Sequence, residues 1–432
     1  MPSIKTSIPQ LTAEHACTLH PIEAAIIDHE AIIEDWFRKQ WIQSSPSITS
    51  SVDLRHAGFK IAPVDTNLFP AGYNNLNREF LPGCVQAAQA VMKERANQYI
   101  NILMLPESHT RNQYYFQSLD VLRDIFSQAG FTVRFGSLDS TLTAPVDRML
   151  IDSGNVLRME PLLRRDDRLV LDGFEPCFVL LNNDLSSGIP DILKGLQDNT
   201  QPPMQLGWSS RLKSDHFQFF SEVAQEFSAL VHLDAWLVTP LFKTLDGVDF
   251  MAQTGLDALA LVVDELLAEI RKKYVEYGVE DKPFVVVKAD NGTYGMGVMM
   301  VHDGAQLLSL NRKQRTNMSS TKGHQKLNRL IIQEGVYSFE TMPDGAVAEP
   351  VLYMIGACVV GGFYRVHQGR GPDENLNAPG MHFIPLPFEE SCLAPTITLD
   401  AANATNQYYV YGVIARLAAL AAAREIAAIR GA

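Results

Sequence analysis

Phe284-Val-Val-Val-Lys-Ala-Asp-Asn-Gly-Thr-Tyr-Gly-Met-Gly-Val-Met-Met-Val301 is the stretch on which the reading of this chain turns. Val285, Val286 and Val287 form a β-branched run of the kind a buried strand uses. Lys288 follows at once, so its ammonium is expected at the strand end, where a loop begins. Asn291 opens that loop, and Gly292, Gly295 and Gly297 let its backbone approach a ligand closely. Val298 to Val301 resumes the strand pattern. A glycine-tipped hairpin with a lysine at its root suits a polyphosphate. The spacing fits a plain hairpin with a solvated lysine equally well. It is not a Walker loop, because no Gly-Lys-Ser/Thr closes it and no helix is expected after it.

The totals narrow the class. With 432 residues the chain is long enough for two or three domains and a large core. Hydrophobic residues make up 46% and charged residues 20%, an ordinary globular balance. A net charge of -13 argues against a nucleic-acid or membrane-surface protein, either of which needs a basic face. The five cysteines (Cys17, Cys84, Cys177, Cys358 and Cys392) are scattered and form no CxxC pair. That pattern fits reduced thiols in a cytoplasmic protein rather than a disulfide scaffold or zinc site. Met1-Pro-Ser-Ile-Lys5 does not read as a signal peptide, and no apolar run reaches membrane-spanning length. A homo-oligomer is compatible with all of this.

Outward from the hairpin, the chain reads as α/β. Residues 12–45 are expected to be helical, and the Ser-rich tract Ser44–Ser51 to be a loop. Val64 to Phe80 is dense in amides, with Asn67, Asn74, Asn75 and Asn77 beside Asp65 and Arg78. Such residues favour turns, but so many donors and acceptors also suit a polar wall for a zwitterionic substrate. Asn101–Pro106, a helix opened by a capping box at Thr110 and Gln113, and Phe131–Phe135 give a β-α-β pattern that predicts a parallel sheet. Phe178–Asp184 adds a strand that ends on polar residues, as strands bordering a ligand crevice do. Leu206–Phe217 opens a helix with Arg211, Lys213 and His216 near its start, and 255–277 is an amphipathic helix. Arg312–Lys326 reads as a basic loop, and Leu330–Val336 as a strand running into Gln333 and Glu334. Ala346–Ile355 and Ala357–Val366 pair around Gly356 and lead to Arg365 and a polar loop, 368–380. An alanine-rich helix follows from about 408 to 429.

Residues 284–301, Gln333-Glu334, Tyr364-Arg-Val366 and Glu374-Asn-Leu-Asn-Ala-Pro-Gly380 occur in an order that resembles the ATP-grasp superfamily, glutathione synthetase in particular. More closely, the whole chain resembles a bacterial family of glutamate–cysteine ligases with an ATP-grasp-type core. The phrases that carry this are Asp65-Thr-Asn-Leu-Phe-Pro-Ala-Gly-Tyr-Asn-Asn75 and Val287 to Gly297. The resemblance implies an N-terminal parallel-sheet α/β domain (1–205), a nucleotide-binding and lid part (206–335) and a C-terminal catalytic part (336–432) of an ATP-grasp-like α+β core. It gives Lys213 and Lys288 to the phosphates of ATP, and Asn291, Gly292, Tyr294, Gly295 and Gly297 to a lid. Gln333 and Glu334 become a hinge for adenine and ribose, and Arg365 and Asn375 steady the transferred phosphate. Asn67, Asn74, Asn75 and Arg78 are candidates for amino-acid binding.

The pattern departs from its relatives in one respect. Typical ATP-grasp enzymes carry their acidic magnesium ligands on a strand after the last helix, and no such strand is expected here. Glu349, Glu374 and Asn377 are therefore the candidate ligands for Mg2+. The expected reaction joins the side-chain carboxylate of glutamate to the amine of cysteine at the expense of ATP. Two alternatives stand beside it: another ATP-grasp carboxylate–amine ligase, glutathione synthetase-like, and a nucleotide-binding protein without catalysis.

Overall fold

The computed structural model describes residues 21–95, 101–107, 112–196, 200–291, 297–319, 329–386 and 407–431. In chain order the first elements are α1 (Pro21–Asp28), α2 (Glu30–Gln43), β1 (Thr49–His56), β2 (Ile61–Asn67), α3 (Leu81–Arg95), β3 (Asn101–Pro106), α4 (Gln113–Gln128) and β4 (Thr132–Ser137). Short strands follow: β5 (Val146–Met149), β6 (Val156–Pro161), β7 (Leu163–Arg165), β8 (Arg168–Val170), β9 (Phe178–Asn182) and β10 (Thr200–Gln201). Then come α5 (Lys213–Val231), β11 (Phe242–Asp246), α6 (Leu256–Tyr277), β12 (Val285–Ala289) and β13 (Val298–Val301). The last elements are α7 (Ala305–Leu308), α8 (Arg312–Ser319), β14 (Arg329–Glu334), β15 (Val347–Ile355), β16 (Cys358–His367), β17 (His382–Pro385) and α9 (Gln407–Gly431).

The strands form a mixed sheet and two antiparallel ones, with β7 and β8 as a separate hairpin. The mixed sheet runs β10-β9-β3-β4-β6-β5, parallel except where β5 turns back on β6. Its central strand is apolar on both faces. Ile102 and Met104 enter one cluster, Leu103 and Leu105 another, as a strand covered on both sides must. A five-stranded antiparallel sheet runs β17-β16-β15-β1-β2, and a four-stranded one β11-β14-β12-β13. Helix α9 is buried against α5, β1 and β2. Its alanines allow that close approach, and its one fully buried arginine, Arg416, pairs with Glu34 of α2 at 2.6 and 2.8 Å.

Several expectations gave way to tertiary pairing. The Ser-rich tract was expected to be a loop, yet Thr49–Ser51 starts β1 and pairs with β15 and β2. Val64–Asn67 belongs to β2 rather than to a loop. Thr110 lies outside the described residues. The cap of α4 is Asn112, whose Oδ1 accepts the Tyr114 N–H at 3.0 Å. Arg312–Ser319 is helical instead of forming a loop, and 320–326 lie outside the described residues. Strand β1, in the first expected segment, pairs with β15, in the third, and β2 adds to the sheet beyond β1. Among the described residues no helix is long and apolar enough to cross a membrane.

Candidate active site

A solvent-open cleft of about 850 Å³ lies where the five- and four-stranded sheets face each other. Strand alternation selects its lining. On β12, Val285 and Val287 are buried in the core, while Val286 and Lys288 line the cleft. Across the ladder Met300 faces Val286, Val298 faces Lys288, and Gln333 of β14 faces Val286. The opposite wall is charged, with Asp53 and Arg55 of β1, Asp65 of β2, Glu349 of β15 and Arg365 of β16. Asp53 is directly opposite Asp65, and Glu349 directly opposite Arg365.

The charged wall is internally paired. The Arg365 Nη1 group bonds Asp53 at 3.0 Å and Glu349 at 2.5 Å. The Arg55 Nε group bonds the other oxygen of Glu349 at 3.0 Å, and its Nη1 donates to the Val336 and Pro372 carbonyls. Burial pushes Asp53 up; Arg365 pulls it down, while Glu349 and Asp65 add to the rise. Burial works against the Arg365 charge, but Asp53 and Glu349 outweigh it and hold the guanidinium above its ordinary value. Its Nε is buried and has no partner among the described residues.

The lysines approach from the other side. Lys213 is the first residue of α5, and its Nζ bonds Asp65 at 2.8 Å and lies 3.9 Å from the Trp208 ring centre. Asp290, just after β12, fixes that helix start: its carboxylate accepts the Ser214 N–H and hydroxyl at 2.7 and 2.6 Å. Lys288 donates to the Val64 carbonyl at 2.8 Å. Burial pulls Lys288 down to about 8, with Asp65 opposing and Lys213 reinforcing the drop. Burial alone would raise Asp65, but Lys213 and Lys288 outweigh it and bring it to about 2.

Gln333 is 1% exposed, and its Nε2 has no partner among the described residues. Glu334 lines the cleft, but its carboxylate is committed elsewhere. It accepts Lys60 Nζ at 2.8 Å, Trp236 Nε1 at 3.0 Å and the Leu241 N–H at 2.9 Å. What Glu334 can offer a ligand is therefore backbone. Asn375 and Asn377 also line the cleft, the Asn377 N–H donating to Asn375 Oδ1 at 2.9 Å.

Other expected residues are not brought in. The carboxylate of Glu374 bonds Arg370 at 2.8 Å and the Gly371 N–H at 2.7 Å, and it does not line the cleft. Asn67 accepts the Phe69 N–H at 2.9 Å, Asn74 donates to Asn75 at 3.3 Å, and Arg78 is exposed. These amides close turns rather than line the cleft. Asn291 is described but does not line it; Gly297 takes a φ of 64°. Gly292, Tyr294 and Gly295 lie outside the described residues. Asp53 and Arg55 escaped the sequence reading. Their signal was two charges at i and i+2 interleaved with Val52 and Leu54, both buried. Among the described residues no three carboxylate, histidine or cysteine side chains already converge as a metal site.

Comparison with known proteins places the chain in a family. A family model described as GshA, glutamate-cysteine ligase, matches residues 23–426. The chain belongs to the glutamate–cysteine ligase family. A crystal structure at 1.90 Å of a provisionally named gamma-glutamylcysteine synthetase from Methylobacillus flagellatus KT is similar to this ligase at 50% identity and a TM-score of 0.88. That match covers 98% of this chain and 99% of the other. A glutathione synthetase-like effector from Globodera pallida, in apo form, aligns over 84% of this chain and 79% of its own at 10% identity and a TM-score of 0.35, too low to bear on the fold. None of the curated proteins compared with the ligase matches it.

Proposed function

We propose that this ligase joins the side-chain carboxylate of glutamate to the amine of cysteine, giving γ-glutamylcysteine, with ATP converted to ADP and phosphate. Membership in the family supports the reaction class. One observation carries the assignment of the site: Lys213, Lys288, Gln333 and Arg365, from four separate elements, line one cleft. Two buried donors there, Gln333 Nε2 and Arg365 Nε, have no partner among the described residues. Buried donors without acceptors are costly, and a ligand rich in acceptors removes that cost.

A carboxylate is a poor acyl donor because its leaving group would be oxide. A glutamate side-chain oxygen attacks the γ-phosphorus, the bond to the β-phosphate oxygen breaks, and ADP leaves. The amine of cysteine then attacks the acyl carbon, loses a proton and displaces phosphate. The protein's share is positioning and charge stabilisation. Lys213 and Lys288 are the cations for the nucleotide phosphates. Val286, Val298 and Met300 give the base an apolar surface, and the Gln333 amide is its polar contact. Arg365, fixed by Asp53 and Glu349, stabilises charge on the transferred group through its remaining Nε–H. The glycine hairpin is assigned as the cover that keeps water from the acyl phosphate.

The donor types suit magnesium. Asp53, Asp65 and Glu349 offer hard carboxylate oxygens, which bond Arg365, Arg55 and Lys213 in this structure and would have to turn from them to hold the ion. When bound, Mg2+ would neutralise phosphate charge. Asn375 and Asn377 supply neutral oxygens nearby.

The test is ADP release with glutamate and cysteine, compared with other amino-acid pairs. ADP formation that depends on both, with γ-glutamylcysteine as product, is expected. Equal or greater release with γ-glutamylcysteine and glycine would point to a glutathione synthetase-like activity, and no release with glutamate and cysteine would sink the proposal.

A further inference from the structure

Behind the charged wall, on the core face of the same sheet, lies a buried carboxyl that the reaction does not use. Glu340 is 3% exposed and precedes β15. Its Oε1 accepts the Tyr411 hydroxyl at 2.6 Å and the Tyr364 hydroxyl at 3.0 Å. Because Tyr411 spends its proton there, its oxygen accepts from His56 Nδ1 at 3.2 Å. The Glu340 carbonyl accepts the Ala348 N–H at 3.0 Å, and the neighbouring Phe339 N–H donates to the His56 carbonyl at 2.9 Å. Each tie lands one residue from the wall: His56 follows Arg55, Ala348 precedes Glu349, and Tyr364 precedes Arg365. Alternation turns each neighbour away from the cleft, so the carboxyl holds β16 directly through Tyr364 and β1 through Tyr411 and His56, while the main chain of residues 339 and 340 ties the same segment to β1 and β15.

We propose that Glu340 is a positioning residue that sets the arrangement of Arg365 through Tyr364 and of Arg55 through Tyr411 and His56. The proposal rests on the ligase reading above. The titratable groups facing Glu340 are Tyr364 of β16, Tyr408 and Tyr411 of α9, His56 of β1 and Glu23 of α1, with no lysine or arginine among them in the described residues. Burial pushes the carboxyl up to about 7; Tyr411 and Tyr364 pull it down, and Glu23 adds to the rise. Oε2, with no partner among the described residues, is the oxygen that carries the proton. Ionisation would put an uncompensated charge in the core at the point that holds the wall.

The experiment compares wild type with Glu340→Gln, which mimics the neutral acid, and with Tyr364→Phe. The readouts are kcat and the KM for ATP from about pH 6 to about pH 9, and Tm over the same range extended to about pH 4.5. The ratio of kcat in wild type to kcat in E340Q should fall at least about threefold as pH rises through the range, with KM for ATP unchanged. Y364F should lower kcat without moving that KM, because the nucleotide is assigned to the other sheet. The folded value lies above the ordinary 4.5, so wild type should lose stability relative to E340Q as pH rises from about 4.5 to about 7 and change little beyond it. Coincident kcat and Tm profiles for wild type and E340Q would overturn the role of Glu340 while leaving the reaction standing. A wild type that forms no ADP from glutamate and cysteine would instead overturn the reaction itself.

Discussion

The two walls of the cleft are built on opposite plans. The wall from the five-stranded sheet is neutralised in advance, since Arg365 is bonded to Asp53 and Glu349, and Arg55 to Glu349. The wall from the four-stranded sheet is apolar and underpaired. It carries Val286, Val298 and Met300, a Gln333 amide nitrogen with no described partner, and Lys288 hydrogen-bonded to a neutral carbonyl. The difference separates two tasks. A pre-paired network orients its groups and loses little when ligand arrives, whereas an underpaired wall stores unfavourable desolvation that ligand binding releases. On this view the second wall binds the nucleotide and the first holds the transferred group.

The sharpest way to break the comparison is to remove one cation from each wall. Lys288→Ala should lower kcat/KM for ATP by about 10²–10³-fold or more. It should not lower Tm at neutral pH. A lysine whose folded value is depressed to about 8 is charged in the native state only at a cost, and that cost is present below pH 8 and disappears as pH rises above it. Arg365→Ala should cost activity and also up to ~3–5 kcal/mol of stability, because it leaves the partly buried Asp53 without its partner and Glu349 with Arg55 alone. Denaturant unfolding of both variants checks this, and equal stability losses would erase the distinction between the walls.

A smaller effect is read from pH. Lys288 must be an ammonium to meet phosphate, so kcat/KM for ATP should fall above its value of about 8, by about tenfold at one unit higher. The arm should move to higher pH in Lys288→Arg; an unmoved arm would assign it to another group. Gln333→Ala should raise the KM for ATP by roughly 3–10-fold with kcat unchanged, the scale of one neutral hydrogen bond. The smallest effect belongs to the amide-rich turn. Asn74→Ala and Asn75→Ala should stay within about twofold of wild type in every kinetic constant, and a tenfold loss would return those amides to the site.

Local rules carried much of the site. Lys288, Gln333 and Arg365 each stand at or near the end of a strand whose apolar run is visible in the chain, and all three meet in the cleft. The same rules failed where a side chain's surroundings come from far along the chain. Asn74 and Asn75 are as polar as any ligand contact, yet Asn74 donates to Asn75 in a turn that does not line the cleft. Glu334 has the residue type and place of a hinge contact, but Lys60, lying 274 positions earlier, takes its carboxylate into the core. Asp53 and Arg55 looked ordinary because β1 finds its partner 294 positions later, when Arg55 meets Glu349.

The amino-acid sequence by itself determined β3, β4, β9 and β12 to β16, the helices α4, α5, α6 and α9, and the cations at strand ends. Period-2 and period-3.6 patterning and glycine spacing are local properties that the chain cannot hide. Only the tertiary structure decided which charges are already paired and which face a ligand. Pairing depends on which strands are neighbours, and β1 becomes the neighbour of β15 through burial of a shared core rather than through any signal within either strand.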